Sequence, residues 1–476
     1  MSKGLIGKRS IIYTLSKIIS AILSLLSISL FTRIFDADAY GQYLLFVSYV
    51  TLICSLFFWW HRLSVYRYYH KYKDQYSSFL KTSYISFFII VLLLLSASIA
   101  IYFWPYENQE LILGLIPFCI FAAIFKSNFD LNQSLFNISR RDNLFCFNII
   151  FRPLLFVSLS LIFHQYLKIY DHALMYAFII SFFLVAIISD FLIFKNTSVG
   201  GFEKKIITKF YSYGFPLTGL FIFDYILTFS DRLLIGHYLG SEMVGMYGAN
   251  YDLIKMMVLF GMVIQGYIIY PELNKTFEKN NIIEVKKLMT FNLNIFATVF
   301  LPLCIFIIYF NDSISSLFIG NQFTRQSSEL IPIFSIIFLL WGVKIHHIDY
   351  IFQLKEKTSV SMYILFFGSL INLILNFILI PRMELIGASY ATLSSYFIIL
   401  LVSFFISRNF LKVKIHIHII AKTIMFLGSG LIFSNILGRY FQNEVLSMIA
   451  FLVIYISLSF KFNYYSLKPF LSKLYF

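Results

Sequence analysis

Two carboxylates, Asp36 and Asp38, stand one residue apart in the stretch TRIFDADAYGQY, residues 32–43. In membrane glycosyltransferases, an Asp-x-Asp pair just outside the first transmembrane helix can hold a metal ion and a sugar phosphate. The same residue types also serve a structural purpose, because an Asp near a helix N-terminus accepts hydrogen bonds from free backbone N–H groups. The helices that position the pair decide between these two interpretations.

The composition is that of a membrane protein. Of the 476 residues, 59% are hydrophobic and 13% are charged, and the mean hydropathy is +0.80. A soluble domain is roughly 45–50% apolar and about 25% charged. The basic N-terminal start leads into a long apolar run without a small-residue cleavage site, which predicts a retained first helix rather than a signal peptide.

Apolar runs of about 20 residues predict fourteen membrane-spanning helices in an all-α polytopic chain. No connection between them is long enough for a soluble domain. The predicted spans are 10–31, 42–60, 83–104, 111–130, 144–164, 174–194, 211–236, 244–270, 288–310, 330–353, 359–380, 384–407, 417–438 and 445–460.

Lys and Arg residues concentrate in every second connection, as expected when positive loops stay in the cytoplasm. This alternation predicts that both termini are cytoplasmic, and it accounts for most of the net charge of +15 without a nucleic-acid surface. The connections assigned to the outer side hold few cations: Arg33, Lys168, Arg325, Arg382 and Arg439.

The chain carries an internal repeat. The segment DADAYGQY (36–43) aligns with GSEMVGMY (240–247), and Gly41 then matches Gly245. Spans one to six therefore resemble spans seven to twelve in the same orientation, related by an axis along the membrane normal. The predicted organisation is an N-lobe, a C-lobe and two further helices: residues 1–205, 206–410 and 411–476.

The repeat also bears on the opening pair of carboxylates. In the second copy, Asp36 becomes Gly240 and Asp38 becomes Glu242. A metal-binding pair would not be needed twice, whereas a tight turn followed by a helix start would be. The repeat therefore favours a structural turn over catalysis.

Three stretches resemble Wzx-type polysaccharide flippases, of the superfamily that includes MATE exporters and MurJ-like lipid flippases. They are TRIFDADAYGQY, residues 211–253, and NFILIPRMELIGASYATLSS (376–395). The last is the most specific, because such proteins similarly end one helix in Asn-x-x-Leu-Ile-Pro and begin the next with Gly-Ala-x-x-Ala-Thr.

This resemblance implies two six-helix lobes around a cavity that opens alternately to each side of the bacterial inner membrane. It implies movement of undecaprenyl-diphosphate-linked oligosaccharide to the outer leaflet, for O-antigen or another surface polysaccharide. It further implies membrane lipids as partners, a polysaccharide polymerase and a chain-length regulator nearby, and a monomer. No cofactor, metal, nucleic acid or catalytic residue is expected.

A cation inside a membrane span raises the free energy of membrane insertion, so such residues usually face a cavity or a partner of opposite charge. Lys126 has Asp130 four positions on, and Lys255 has Asp252 three positions back, so both can pair on one helix face. The full set within the predicted spans is Lys17, Lys126, Arg152, Arg232, Lys255, Lys344 and Lys422.

The strongest candidates for binding an anionic substrate are Lys17, Arg152 and Lys344, because the four residues on either side of each contain no Asp or Glu. A diphosphate in a low-dielectric cavity needs cationic partners. Related flippases similarly carry basic residues on helices one and eight. The predicted diphosphate ligands are Lys17, Arg152, Lys255 and Lys344, and the predicted polar cavity-lining residues are Ser20, Ser24, Ser27, Tyr251 and Gln265.

Asp224 and Asp231 share one face of the seventh span and are candidates for coupling to a proton or sodium ion. The same carboxylates could instead neutralise Arg232 and nearby lysines. His346 and His347 do not predict a metal site, because adjacent histidines diverge by about 100° on a helix.

Two other functions stay open on the residues alone. An ion-coupled multidrug antiporter of the same superfamily is expected to have an aromatic cavity in which acidic sites dominate. A membrane glycosyltransferase or polysaccharide polymerase usually needs a sizeable outer loop to hold sugars. The excess of cations inside the spans and the short outer connections favour the flippase, which is not an enzyme.

Overall fold

The computed structural model describes residues 3–103, 110–195, 197 and 200–474. Over these ranges the chain is helices, turns and short connections, without a β-strand. It divides into two compact units, residues 1–248 and 249–476. The predicted lobe boundary between residues 205 and 206 stays a prediction.

The first unit contains nine α-helices and the start of a tenth in its described residues. They are α1 Lys3–Ile34, α2 Ala37–Phe57, α3 Trp59–Tyr68, α4 Tyr76–Tyr102, α5 Glu110–Ile138, α6 Asp142–Gln165, α7 Ala173–Phe194, α8 Lys204–Gly214, α9 Thr218–Leu239 and α10 Ser241–Glu278. Within this unit α6 packs against α1 and α7, and α2 packs against α5 and α9.

In the second unit, which also holds most of α10, two π-helical segments interrupt longer helices at Phe296–Phe300 and Lys344–Ile348. The α-helices that follow α10 are α11 Ile282–Ile295, α12 Leu301–Tyr309, α13 Asn311–Phe318, α14 Ser327–Val343, α15 Asp349–Leu354, α16 Thr358–Ser407, α17 Ile417–Phe441 and α18 Glu444–Leu474. Helix α14 packs against α12 and α16, and α17 packs against α18.

Within the described residues, eleven helices are long and apolar enough to cross a membrane. Helices α5 and α9 lie at two further predicted spans, and α16 covers the eleventh and twelfth together. The two parts of α16 meet at Glu384, whose φ of 51° is not helical, close to the helix-stopping Pro381. The all-α, multi-pass membrane class is therefore confirmed, whereas the count of fourteen spans and the orientation of the termini stay predictions.

The opening stretch is a helix cap. Asp36 has extended backbone angles, and its Oδ1 accepts a hydrogen bond from the backbone N–H of Ala39 at 2.8 Å. Asp38 accepts hydrogen bonds from Gln42 Nε2 at 2.8 Å and from the hydroxyl of Ser241. Both carboxylates thus fix the starts of α2 and α10, which confirms the structural turn.

The two glycines that the repeat aligns lie where α2 and α10 meet. A side chain on Gly41 would collide with the backbone carbonyl of Ser241, and one on Gly245 would collide with that of Ala37. Small residues allow such backbone contact between membrane helices. Close approach of two helix starts therefore explains why both copies need glycine at this position.

Candidate functional site

The guanidinium of Arg152, on α6, lies against aromatic rings. Its Cζ is 4.6 Å from the ring centroid of Phe182 on α7 and 6.0 Å from that of Phe156. The residue is partly buried, and it makes no salt bridge within 4 Å and no hydrogen bond with a described side chain. A cation–π contact uses none of the five guanidinium N–H donors. Arg152 therefore keeps its capacity to bind an anion.

A second group of charges lies where α3 and α5 approach each other in the first unit. Lys126 Nζ is 3.0 Å from Asp130 Oδ2, which confirms the predicted pair, and Arg62 Nη1 is 3.8 Å from the same oxygen. Two cations thus share one carboxylate and leave a net positive charge. Sequence reasoning placed Arg62 in a cytoplasmic connection and missed this grouping, because Arg62 and Asp130 are far apart along the chain.

Lys17 and the predicted cavity-lining residues Ser20, Ser24 and Ser27 recur at spacings of three and four, which is one face of α1, and all four are partly buried. The Ser24 hydroxyl donates to the backbone oxygen of Ser20 at 2.9 Å, and the Ser27 hydroxyl donates to that of Leu23 at 2.6 Å. These protons serve the helix itself, but the hydroxyl oxygens can still accept a hydrogen bond. The cavity-lining role of this face stays a prediction.

Lys344 is held in a closed polar group of the second unit. It is 1% exposed, and its Nζ lies 2.8 Å from Asp349 Oδ2 and 3.2 Å from Ser361 Oγ. The Ser361 hydroxyl also donates to Asp349 Oδ1 at 2.8 Å. The charge of Lys344 is balanced locally, so binding a diphosphate there would require this pair to open.

The π-helical turn explains why Asp349 was missed as the partner of Lys344. The backbone N–H of Asp349 bonds to the carbonyl of Lys344, five residues earlier. Residues five apart are therefore stacked here, whereas an α-helix stacks residues three and four apart. A search limited to four positions could not find the pair.

Two predicted site residues on α10, Tyr251 and Lys255, are close together. Tyr251 is 1% exposed, and its ring packs on Phe334 and Phe338 at centroid distances of 5.3 and 4.9 Å. Lys255 Nζ lies 5.7 Å from the centre of the Tyr251 ring. Tyr251 thus belongs to the packed interior of the second unit, and Lys255 lies beside it.

Gln265, further along α10, is buried in an amide network. Its Nε2 donates to Asn292 Oδ1 at 2.5 Å. Asn292 Nδ2 in turn donates to the backbone oxygen of His346 at 2.7 Å and lies 3.2 Å from His347 Nδ1. Through these contacts, Asn292 on α11 is joined to both histidines of the π-helical turn.

The two candidate coupling acids on α9 differ in their surroundings. Asp231 is 2% exposed, and its carboxylate accepts hydrogen bonds from the Tyr247 hydroxyl at 2.6 Å and the Arg232 backbone N–H at 2.8 Å. Asp224 is partly buried, and its backbone oxygen accepts from the Thr228 hydroxyl at 2.8 Å. Ion coupling at these residues stays a prediction.

One polar cluster of the first unit was not predicted. The carboxylate of Asp190, on α7, accepts hydrogen bonds from Asn128 at 2.7 Å, Asn132 at 2.7 Å and Tyr84 at 3.1 Å. The donors lie on α4 and α5, so the cluster ties three helices together. The i, i+4 spacing of the two asparagines was a usable signal, but their partner is distant in sequence.

These features define a multi-pass membrane protein with charged and polar side chains inside its helical units. A family model described as "Polysaccharide biosynthesis protein" matches residues 6–277, more than half of the chain. The chain belongs to the polysaccharide biosynthesis protein family.

Two curated relatives match part of the sequence. A protein of Haloferax volcanii named "Probable low-salt glycan biosynthesis flippase Agl15" is 24% identical over 177 residues, which are 36% of this chain and 36% of that protein. An uncharacterized membrane protein of Methanocaldococcus jannaschii is 24% identical over 204 residues, which are 41% of this chain and 38% of that protein. The matches therefore span little more than a third of these relatives.

Solved structures match over most of the chain. The lipid II flippase MurJ aligns with a TM-score of 0.73 at 16% identity, covering 95% of this chain and 98% of that chain. A multidrug resistance transporter of the MATE family aligns with a TM-score of 0.62 at 12% identity, covering 84% and 94%. At such identities the likeness shows the fold alone. The family match and this fold together support the predicted resemblance. These relatives are flippases and transporters, in agreement with the expectation that the chain is not an enzyme.

Proposed function

We propose that the chain moves undecaprenyl-diphosphate-linked oligosaccharide from the cytoplasmic to the outer leaflet of a bacterial inner membrane by alternating access. The polysaccharide biosynthesis family and the MurJ-like fold support this proposal. The observation that carries it is Arg152, a cation on a membrane-spanning helix whose guanidinium contacts two aromatic rings and forms no salt bridge with a described side chain.

The chemistry of the substrate requires such a group. A diphosphate loses its hydration when it enters a cavity in the membrane, and an unpaired buried anion is prohibitively unstable. Arginine suits this site, because its planar guanidinium binds phosphate oxygens through two parallel N–H bonds. Lys17, in the same unit as Arg152, is proposed as an additional cation for the same anion. Lys255, in the second unit, stays a predicted diphosphate ligand.

The proposal places the chain within a biosynthetic sequence. Glycosyltransferases must first build the oligosaccharide on its lipid at the cytoplasmic face. A polymerase and a chain-length regulator would then use the flipped product, as O-antigen or another surface polysaccharide. The chain itself is proposed to act as a monomer.

An ion-coupled antiporter is the second candidate, favoured by the MATE-like fold and by the buried carboxylate of Asp231. The two functions differ in cargo charge. Many drugs are cationic and would be repelled by Arg152, whereas a diphosphate would be attracted to it.

The test is complementation in a strain that lacks the native gene, at matched amounts of membrane-inserted protein. The wild-type chain should restore surface polysaccharide, and Arg152→Ala should lower export about 10- to 100-fold, as expected for a lost charge-assisted hydrogen bond. Lys205→Ala is the matched control, because Lys205 is an exposed cation of the same unit. Restored drug efflux without restored polysaccharide would favour the antiporter instead.

A further inference from the structure

The second unit contains a cavity of about 420 Å³ with mostly apolar walls. It lies between α14, the π-helical turn with α15, the C-terminal half of α16 and the segment that follows α16. Its apolar wall includes Val343, Ile348, Ile351, Leu400, Leu401 and Phe404. Leu401 and Ile415, which also line it, are exposed, so the cavity reaches the surface.

A single arginine stands at the rim of this cavity. Arg408, just beyond the end of α16, is exposed, and its Cζ lies 5.6 Å from the Phe404 ring centroid. In the part of the chain that the structure describes, no acidic side chain is paired with Arg408. The rim therefore offers a positive charge that no described side chain neutralises.

The polar groups in the cavity wall are few and partly engaged. The Ser407 hydroxyl donates to the backbone oxygen of Phe404 at 2.9 Å, and His347 Nδ1 lies 3.2 Å from Asn292 Nδ2. A polar occupant would find little to bond with and would lose its hydration. The interior suits a hydrocarbon chain, and the rim suits an anion.

We propose that this cavity binds an anionic glycerophospholipid, with an acyl chain in the apolar interior and the head-group phosphate on Arg408. Its volume lies within the roughly 300–1,000 Å³ of ligand pockets. Arg408 is assigned to the cytoplasmic side by the alternation of Lys and Arg, and basic pockets between membrane helices on that side hold anionic head groups. The proposal stands independently of the transported cargo.

Titration of the purified full-length protein in detergent, followed by native mass spectrometry, tests this site. The probes are phosphatidylglycerol, phosphatidylcholine and inorganic phosphate. Phosphatidylglycerol should bind at least tenfold more tightly than phosphatidylcholine, and inorganic phosphate should not displace it. Equal binding of the two lipids, or displacement by phosphate alone, would overturn the proposal.

Three variants localise the binding. Arg408→Ala should weaken phosphatidylglycerol binding about tenfold. Lys412→Ala removes an equal charge from an exposed residue outside the cavity wall and should change it less than twofold. Val413→Trp fills the cavity and should weaken binding while Arg408 is intact. Equal effects of Arg408→Ala and Lys412→Ala, or full binding by Val413→Trp, would contradict the site.

Folding is controlled separately for each variant by its melting temperature. If Arg408→Ala melts well below the wild type, Arg408→Gln and Val413→Trp provide the comparison. Retention of phosphatidylglycerol by both of these folded variants would also overturn the proposal.

Discussion

Arg152 in the first unit and Lys344 in the second satisfied the same sequence criterion, a cation within a span without a neighbouring acid. Their structures differ. Arg152 lies on the rings of Phe156 and Phe182, with its N–H donors unused by the described residues. Lys344 is fully buried and bonded to Asp349 and Ser361.

This difference separates two reasons for placing a cation inside a membrane protein. A lysine whose charge is cancelled by a carboxylate holds helical segments together, and it is costly to disturb. An arginine held only by aromatic faces contributes little to folding through its charge, because a cation–π contact contributes about 0.5–2 kcal/mol. The second kind is the one available to a ligand.

The largest expected effect is the loss of transport when Arg152 is replaced. Arg152→Glu should reduce export of surface polysaccharide to background, because it places a negative charge at the proposed diphosphate site. Membrane levels and the melting temperature of the purified variant should stay close to those of the wild type. Arg152→Lys should keep partial activity, since it retains the charge and loses the two-bond geometry. Normal export by Arg152→Glu would remove this residue from the cargo site.

Lys17 tests whether a second cation of the first unit acts with Arg152. Lys17→Ala and Lys17→Glu should abolish export while the protein still accumulates in the membrane, and Lys17→Arg should keep partial activity. The basis is its partly buried position on α1, on the predicted face of Ser20, Ser24 and Ser27. Surface polysaccharide at matched expression is the measurement, and normal export by Lys17→Glu would end the cavity assignment of this face.

Lys344 should show the opposite pattern. Lys344→Ala leaves the partly buried Asp349 carboxylate without its cation, which should lower the free energy of unfolding by about 3 kcal/mol. The double variant Lys344→Met/Asp349→Leu removes both charges and should recover most of that loss. Thermal melting of the purified proteins measures both effects. An unchanged melting temperature for Lys344→Ala would contradict a structural role for the pair.

The smallest effects are expected in the opening turn. Asp36→Ala removes the cap of α2 and should lower the free energy of unfolding by about 1 kcal/mol. Asp38→Asn should leave surface polysaccharide largely intact, because the amide oxygen can still accept from Ser241 and the amide NH2 can donate to a flipped Gln42 side chain. Complete loss of export by well-folded Asp38→Asn would restore the catalytic interpretation.

Local patterns explain what the sequence could predict. The Asp36 cap and the Lys126–Asp130 pair involve residues three and four apart, and both are present. Apolar runs located the helices for the same reason, since each span depends only on its own residues.

Contacts across the chain or across irregular helices could not be predicted in this way. Phe182 reaches Arg152 from another helix, and Asp349 reaches Lys344 through a π-helical turn. The spacing of Tyr251 fits a cavity face and a packed face equally well, and the structure places it between Phe334 and Phe338.

Direct binding of undecaprenyl diphosphate tests the central contrast between Arg152 and Lys344. Native mass spectrometry would compare the affinities of the purified full-length wild type, Arg152→Ala and Lys344→Met/Asp349→Leu for this lipid. Only preparations that are equally well folded would be compared. The account predicts a loss of about 10- to 100-fold for Arg152→Ala and a change of less than threefold for the double variant. Wild-type affinity in Arg152→Ala, or a large loss confined to the double variant, would contradict it.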